Sequence, residues 1–414
     1  GFEMNGGRTR VLGTFYDVEH DLIHLVARGT PGAGQPEGPV VRAYNADTLT
    51  LVGTSSRIAA NNPLRPAFDP ETSTIFTTSR PDTASPLALI VFNFYSYTEI
   101  YTPEIIDTDV PTNQYVSHLV WDSVGERLAI HARVVESSVI TSSFIRTWER
   151  GEDGWTRVDY ALIPPEGEAL LWFGGTGTGL GAAPDGTFIL TRNNGGIDPE
   201  SGLGSTALRI TLADGVAEFE ELPGTQAPDA GSVLRGFSEQ VEVGSDGTLV
   251  LFHTRDPHRF LVLGPEAGTY VPLAPIQTEG LGRLRGSVVD VSDGTVFIVD
   301  GQTSNLVVAR DGVIVLRQPV PGMIQTTEWL DVALVDEGTV VVTTIHEGIG
   351  HFTKLRVSGA SPVIDTHPED VVVNLSGGSS QTVQFQAAAS GDPTPELQWQ
   401  VLTGGAGVWR NIDG

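Results

Sequence analysis

Apolar and polar positions along this chain alternate in short runs, with period two or as unbroken β-branched stretches, and no segment carries the three-to-four spacing of an amphipathic helix. One unit recurs. An apolar strand leads into a turn with Asp, Gly or Glu, and a second, strongly apolar strand comes next. The second strands are expected at residues 22–26, 74–78, 127–131, 187–191, 248–252, 295–299 and 339–343. The turns before them, such as 184–186, 245–247 and 292–294, carry Asp to start the turn and Gly to supply a positive φ. Third strands are expected at 40–44, 89–94, 144–148, 207–211, 259–263, 306–309 and 352–357, and a fourth shows at 51–54 and 98–102.

Units of roughly 50 residues with four short strands match the period of propeller blades. A blade cannot bury both faces alone, so neighbours stack around an axis and close. The expected fold class is all-β, with a β-propeller of about seven blades over residues 1–358; six or eight blades also fit. The segment around residues 9–15 leaves the closure of the ring open.

Two stretches resemble known repeats. Residues 41–52, from Val41-Arg42-Ala43-Tyr44 to Leu51-Val52, are similar to YVTN-type repeats of bacterial surface propellers, and residues 288–300, with Ser292-Asp293-Gly294-Thr295, resemble an NHL-type repeat. After a linker at 359–362, residues 363–414 resemble the N-terminal part of a bacterial immunoglobulin-like domain. The resemblance rests on residues 387–399, where Trp399 occupies the core tryptophan position and Ala387 stands where a Cys is common. It implies a truncated β-sandwich without the inter-sheet disulfide.

Composition narrows the chemistry. Gly 49 and Pro 26 fit many short strands and turns. With no cysteine, disulfides, thiolate metal sites and cysteine catalysis are excluded. The net charge of −27 argues against nucleic acid and anionic lipid as partners. Lys354 is the only lysine, a bias that matches either high-GC coding or a halophilic origin. No apolar run is long enough for a transmembrane segment. The chain starts at Gly1 without an initiating Met and stops at Gly414, which reads as a piece of a longer protein with further immunoglobulin-like or anchoring domains beyond it.

No catalytic motif stands out. The string 346–351 places His346 and His351 five apart among glycines, whereas a zincin helix needs two His four apart on one face. Candidate ligand-binding residues come from geometry instead. In a propeller, the loops after second strands and those leading into first strands share one mouth over the axis. His131, Arg192, Asn193, His253, Arg255, Asp300 and His346 are expected on the former, and His118, Trp121, Glu239 and Glu328 on or near the latter. Trp148 and Trp155, flanking a turn, are expected to pair across two strands.

The leading expectation is a secreted or cell-surface binding protein. The propeller mouth takes a glycan, protein or small-molecule ligand, and the immunoglobulin-like part acts as a spacer. No cofactor is predicted. An alternative is an extracellular hydrolase or lactonase with a divalent cation held at the axis by Asn193, Glu239, Asp300 and Glu328. A purely structural cell-wall component is a third reading.

Overall fold

The computed structural model describes residues 2–3, 10–29, 38–55, 65–79, 87–94, 100–110, 114–116, 119–136, 139–164, 166, 179–191, 207–222, 241–253, 259–266, 269–275, 277, 279–282, 284–290, 292–323, 330–346, 349–357, 363–366, 384, 386–390, 400–402 and 409–411. The chain forms two units, Gly1–Leu355 and Arg356–Gly414. All named elements are β-strands.

The N-terminal β1 (Phe2–Glu3) pairs with a strand distant in sequence rather than with its neighbour. The first blade is β2 (Arg10–Asp17), β3 (Leu22–Gly29), β4 (Gly38–Asn45) and β5 (Leu51–Thr54), each antiparallel to the next. The second is β6 (Ala67–Asp69), β7 (Thr74–Ser79), β8 (Leu87–Phe94) and β9 (Ile100–Val110). A nine-stranded sheet comes next. Its first half holds β10 (Gln114–Val116), β11 (Val120–Asp122), β12 (Arg127–Glu136), β13 (Val139–Gly151) and β14 (Gly154–Ala161). Its second half holds β15 (Leu180–Ala182), β16 (Phe188–Thr191), β17 (Ala207–Ala213) and β18 (Val216–Glu221). Two further blades are β19 (Val241–Val243), β20 (Leu249–His253), β21 (Arg259–Glu266) and β22 (Thr269–Pro272), then β23 (Leu284–Asp290), β24 (Thr295–Asp300), β25 (Asn305–Arg310) and β26 (Val313–Pro319). The last is β27 (Asp331–Asp336), β28 (Thr339–His346) and β29 (Ile349–Arg356), completed by β1 through the pairs Phe2–Gly350 and Glu3–Ile349. The ring therefore closes by strand exchange between the ends of the larger unit.

The first strands succeed one another round an axis. β27 lies against β2 and β23, β19 against β23 and β15, and β11 against β15 and β6. Phe15 and Phe68 complete the circuit, stacking at 5.4 Å between β2 and β6. This arrangement is a β-propeller. The blade count differs from the expectation of about seven. Five sheets are free-standing four-stranded blades, and the strands of two expected units run together in the nine-stranded sheet. The joint is a single parallel pair, Ala161 with Val216, where two outermost strands meet.

Burial tracks strand order. Every residue of the second strand β24 is buried, whereas the outermost strands β14 and β26 alternate mostly exposed positions. The hydrophobic cores lie between sheets rather than within them. Leu22, Val26 and Val41 of the first blade pack on Ile75, Ile90 and Phe92 of the second, and Ile189 and Ala207 pack on Leu249, Leu251 and Leu263. Middle strands have apolar neighbours on both faces, so their sequences read as unbroken apolar runs. Every turn into a second strand ends on a left-handed residue: Asp21, Ser73, Glu126, Gly186, Gly247, Gly294 and Gly338, with φ between 46° and 87°. Where that residue is not Gly, an Asp at the end of the first strand braces the turn. Asp17 accepts from the N–H of Glu19 at 3.1 Å, Asp69 from Glu71 at 3.0 Å and Asp122 from Val124 at 3.0 Å.

Trp148 and Trp155 are not directly opposed. Trp148 faces Arg157 across the ladder and Trp155 faces Arg150. Trp148 donates from Nε1 to Asp107 at 2.9 Å, while Trp155 meets Phe76 edge-on at 5.5 Å. In the C-terminal unit, β30 (Val363–Thr366) pairs with β31 (Ala388–Ser390), and β32 (Gln400–Leu402) with β33 (Trp409–Asn411). Trp399 lies outside the described residues. These two short pairs do not by themselves define an immunoglobulin-like sandwich.

Candidate axial ligand site

The first strands converge on a cavity of about 220 Å³. Its wall combines Phe15, Phe68 and Trp121 with the charged pair Arg65 and Glu242, and small or aliphatic residues of β15 and β19 complete it. The strands come close because small residues face the neighbouring strand. A Cβ added at Gly181 of β15 would lie 2.7 Å from Val243 Cγ2, and one at Gly286 of β23 would lie 2.5 Å from the Cα of Asp331. Real Cβ atoms do not approach that closely, so only Gly permits this spacing.

Arg65, just ahead of β6, reaches across the axis. Its Nη1 lies 3.1 Å from Glu242 Oε1 on β19, and its Nη2 donates to Asp331 Oδ1 on β27 at 3.2 Å. The other Asp331 oxygen accepts from the Thr14 N–H at 2.7 Å. One ion-pair network thus ties together four first-strand regions. Burial works against the guanidinium charge, but Asp331 and Glu242 outweigh it and hold Arg65 above its ordinary range. Burial raises the Asp331 carboxyl, opposed by the Arg65 charge and the N–H groups of Thr14 and Val332.

Trp121 lines this cavity, with one ring face stacked on Phe76 at 5.2 Å. The other sequence-nominated residues are placed differently. His131 is not in a mouth loop. It lies inside β12, fully buried, with Nε2 2.9 Å from Ser143 Oγ. Burial, with the charge of Arg133, depresses its imidazole to about 3. Asp300 ends β24 and is also fully buried. One of its oxygens accepts from Gly282 N–H at 2.7 Å and the other from Gln302 and Thr303 N–H at 3.0 and 3.2 Å, so it braces loops. His253 and His346 end strands β20 and β28. His118, Arg192, Asn193, Glu239, Arg255 and Glu328 lie outside the described residues. Sequence reasoning missed Arg65 and Glu242. The available signal was weak, a charged residue in or just before a short first strand, a feature that β23 and β27 share.

A second polar cluster joins the first two blades. Asp17 Oδ2 accepts from His20 Nδ1 at 2.9 Å and lies 3.1 Å from the buried His24 Nε2, and His20 Nδ1 lies 3.1 Å from Ser73 Oγ. Burial alone would raise the Asp17 carboxyl, but hydrogen bonds from His24, Ser73 and His20 and the charge of His24 overcome it and hold the carboxyl well below the carboxylate range. Burial pushes the His24 imidazole down. Both oxygens of Asp17 are committed to the turn and the histidines, which makes the cluster a brace between blades.

These features define the chain as a β-propeller protein with a polar axial cavity. Comparison with solved structures supports the fold. The β-propeller domain of the Trilobed protease from Pyrococcus furiosus, described as having an open velcro topology, is similar at 10% identity, covering 86% of this chain and 94% of that one, with a TM-score of 0.50. A protein from Lactobacillus plantarum shares 14% identity over 75% of this chain and 85% of that one, with a TM-score of 0.48. A putative 6-phosphogluconolactonase from Bacteroides fragilis shares 12% identity over 75% of this chain and 95% of that one, with a TM-score of 0.46. Likeness at such low identity concerns the fold alone. No family model and no curated protein matches the chain. Among the described residues, no helix is long and apolar enough to cross a membrane.

Proposed function

We propose that this is a secreted or cell-surface binding protein that holds a small-molecule ligand in the axial cavity of its propeller, with the C-terminal segment as an immunoglobulin-like spacer. In this reading each half of the nine-stranded sheet serves as one blade, giving a ring of seven. The observation that carries the binding role is the cavity itself, with a partly buried ion-pair network in one wall and aromatic rings in another. Ligand sites characteristically combine apolar lining with a few placed polar groups. The volume would hold about seven water molecules at roughly 30 Å³ each, so it suits a compact molecule rather than a polymer.

The alternative of a hydrolase with an axial cation gains less support. Asp300, one of its four proposed ligands, already uses both oxygens on backbone N–H groups. Asn193, Glu239 and Glu328, the other three, lie outside the described residues. The test is a small-molecule screen by thermal shift, repeated on Ala182→Leu, which fills the cavity from β15. Binding in the parent and its loss in a folded Ala182→Leu variant is the expected result. Ligands that bind both proteins equally would place the site elsewhere, and a shift by a divalent cation with hydrolytic turnover would restore the enzyme reading.

A further inference from the structure

We infer that the axial cavity selects a neutral polyhydroxylated ring, a single sugar or cyclic polyol; this rests on the cavity being the ligand site. The backbone carries the argument. In an antiparallel ladder, pairs that exchange both N–H···O bonds alternate with pairs whose N–H and C=O groups point away from the partner strand. On either side of β15, Ala183 N–H donates to Thr187 O at 2.8 Å, and Thr191 N–H donates to Gly179 O at 2.9 Å. The register between these bonds is unbroken, so Gly181 is bonded to Ile189 and the peptide groups of Leu180 and Ala182 turn away from β16. Beside β19, Gly244 N–H donates to Thr248 O at 2.8 Å, which bonds Glu242 to Val250 and turns Val241 and Val243 away from β20. β15 and β19 end their sheets on the side of the axis, and all four outward-turned residues line the cavity. Among the described residues, no backbone bond takes up these outward groups.

Each of these positions offers one donor and one acceptor to whatever fills the cavity. A hydroxyl is both donor and acceptor, so a ring bearing several of them replaces water there bond for bond. An apolar ligand would displace the water and leave the peptide groups unpaired. The aromatic wall of Phe15, Phe68 and Trp121 covers the C–H faces of such a ring. Arg65 and Glu242 are paired at 3.1 Å. A neutral ligand leaves that pair in place, whereas an ammonium or carboxylate group competes for one of its members. The volume of about 220 Å³ suits one ring rather than an oligosaccharide.

The experiment is a ligand-observed NMR titration of the full chain with myo-inositol, D-glucose, D-galactose and D-mannose. Cyclohexanol, D-glucuronate and D-glucosamine in its ammonium form serve as contrasts of the same ring size. Saturable binding of at least one neutral polyol, at least ten-fold tighter than cyclohexanol and at least three-fold tighter than either charged sugar, is the expected result. No binding by any of the four polyols, or cyclohexanol or a charged sugar binding as tightly, would overturn the inference. Val243→Pro removes one outward N–H and no ladder bond, as proline is accepted on a strand edge that faces away from its partner. Polyol affinity should fall at least five-fold in this variant, and an unchanged affinity in the folded variant would also overturn the inference. The probe series on the parent stands on its own if that variant does not fold. Ala182→Leu separates the two levels: cyclohexanol binding that this variant abolishes would remove the polyol preference yet leave the cavity as the site, whereas polyol binding that it does not abolish would remove both.

Discussion

His131 is buried as a neutral imidazole, and that makes the propeller acid-sensitive in a defined window. Its folded-state value is about 3, against about 6.5 for an unfolded histidine. The shift is downward, so the unfolded chain binds a proton that the folded chain refuses. Stability is therefore complete above about 6.5 and is lost as pH falls from there toward 3. At 1.36 kcal/mol per unit, the full loss is about 5 kcal/mol, and the part realised between pH 7 and pH 5 is about 2 kcal/mol. The Asp17 carboxyl titrates lower than this and does not enter the window, while the depressed His24 acts in the same direction. The perturbation is His131→Gln, which keeps a polar group opposite Ser143 and cannot ionise. Urea unfolding at pH 7 and pH 5, monitored by tryptophan fluorescence, should show a loss in the variant about 2 kcal/mol smaller than in the parent. An identical pH 7 to pH 5 loss in both proteins would refute the assignment of His131 as a neutral buried group.

Three further outcomes test the architecture by the same unfolding assay. Asp331→Asn removes the charge of a buried carboxylate from the partly buried Arg65 network and should destabilise the propeller by about 2–3 kcal/mol, below the figure for a fully buried pair; a loss under about 0.5 kcal/mol would show the network to be solvated. Gly286→Ala places a Cβ against the Asp331 backbone and should cost about 1–3 kcal/mol through overpacking, while the open turn position Gly294, where a Cβ meets nothing within 4 Å, should suffer only from its φ of 70°. Glu126→Gly relieves an exposed residue held at φ 46° and should raise stability by about 0.5–1 kcal/mol; a decrease would mean that the Glu side chain supports its turn.

The repeat was legible because its punctuation is local. Asp185-Gly186, Asp246-Gly247 and Asp293-Gly294 announce their turns, and the glycines do adopt the positive φ that the pattern requires. Each of the second strands expected from the apolar runs falls on an observed strand, with one-residue differences at Thr187 and Thr248. His131 was misplaced because β12 continues to Glu136, five residues past the expected end. Arg133 and Glu136 there imitate a polar loop, yet the two-residue period puts His131 and Arg133 on one buried face. The axial network was illegible for a different reason. Arg65, Glu242 and Asp331 come from separate units, and only the closed ring brings them within hydrogen-bond reach. No spacing in the sequence encodes that meeting.

The pairing of β1 with β29 also sets a timetable for biogenesis. Phe2 is made well before its partner Gly350, which comes near the end of the propeller. At about 5–20 residues per second, the first strand waits roughly 20–70 seconds for the edge that will hold it. Throughout that interval, the core formed by Ile23, Leu25 and Val341 is incomplete, with its N-terminal half exposed. Until the last blade is made β1 has no partner, and a chain that stops before residue 349 lacks the edge that β1 pairs with.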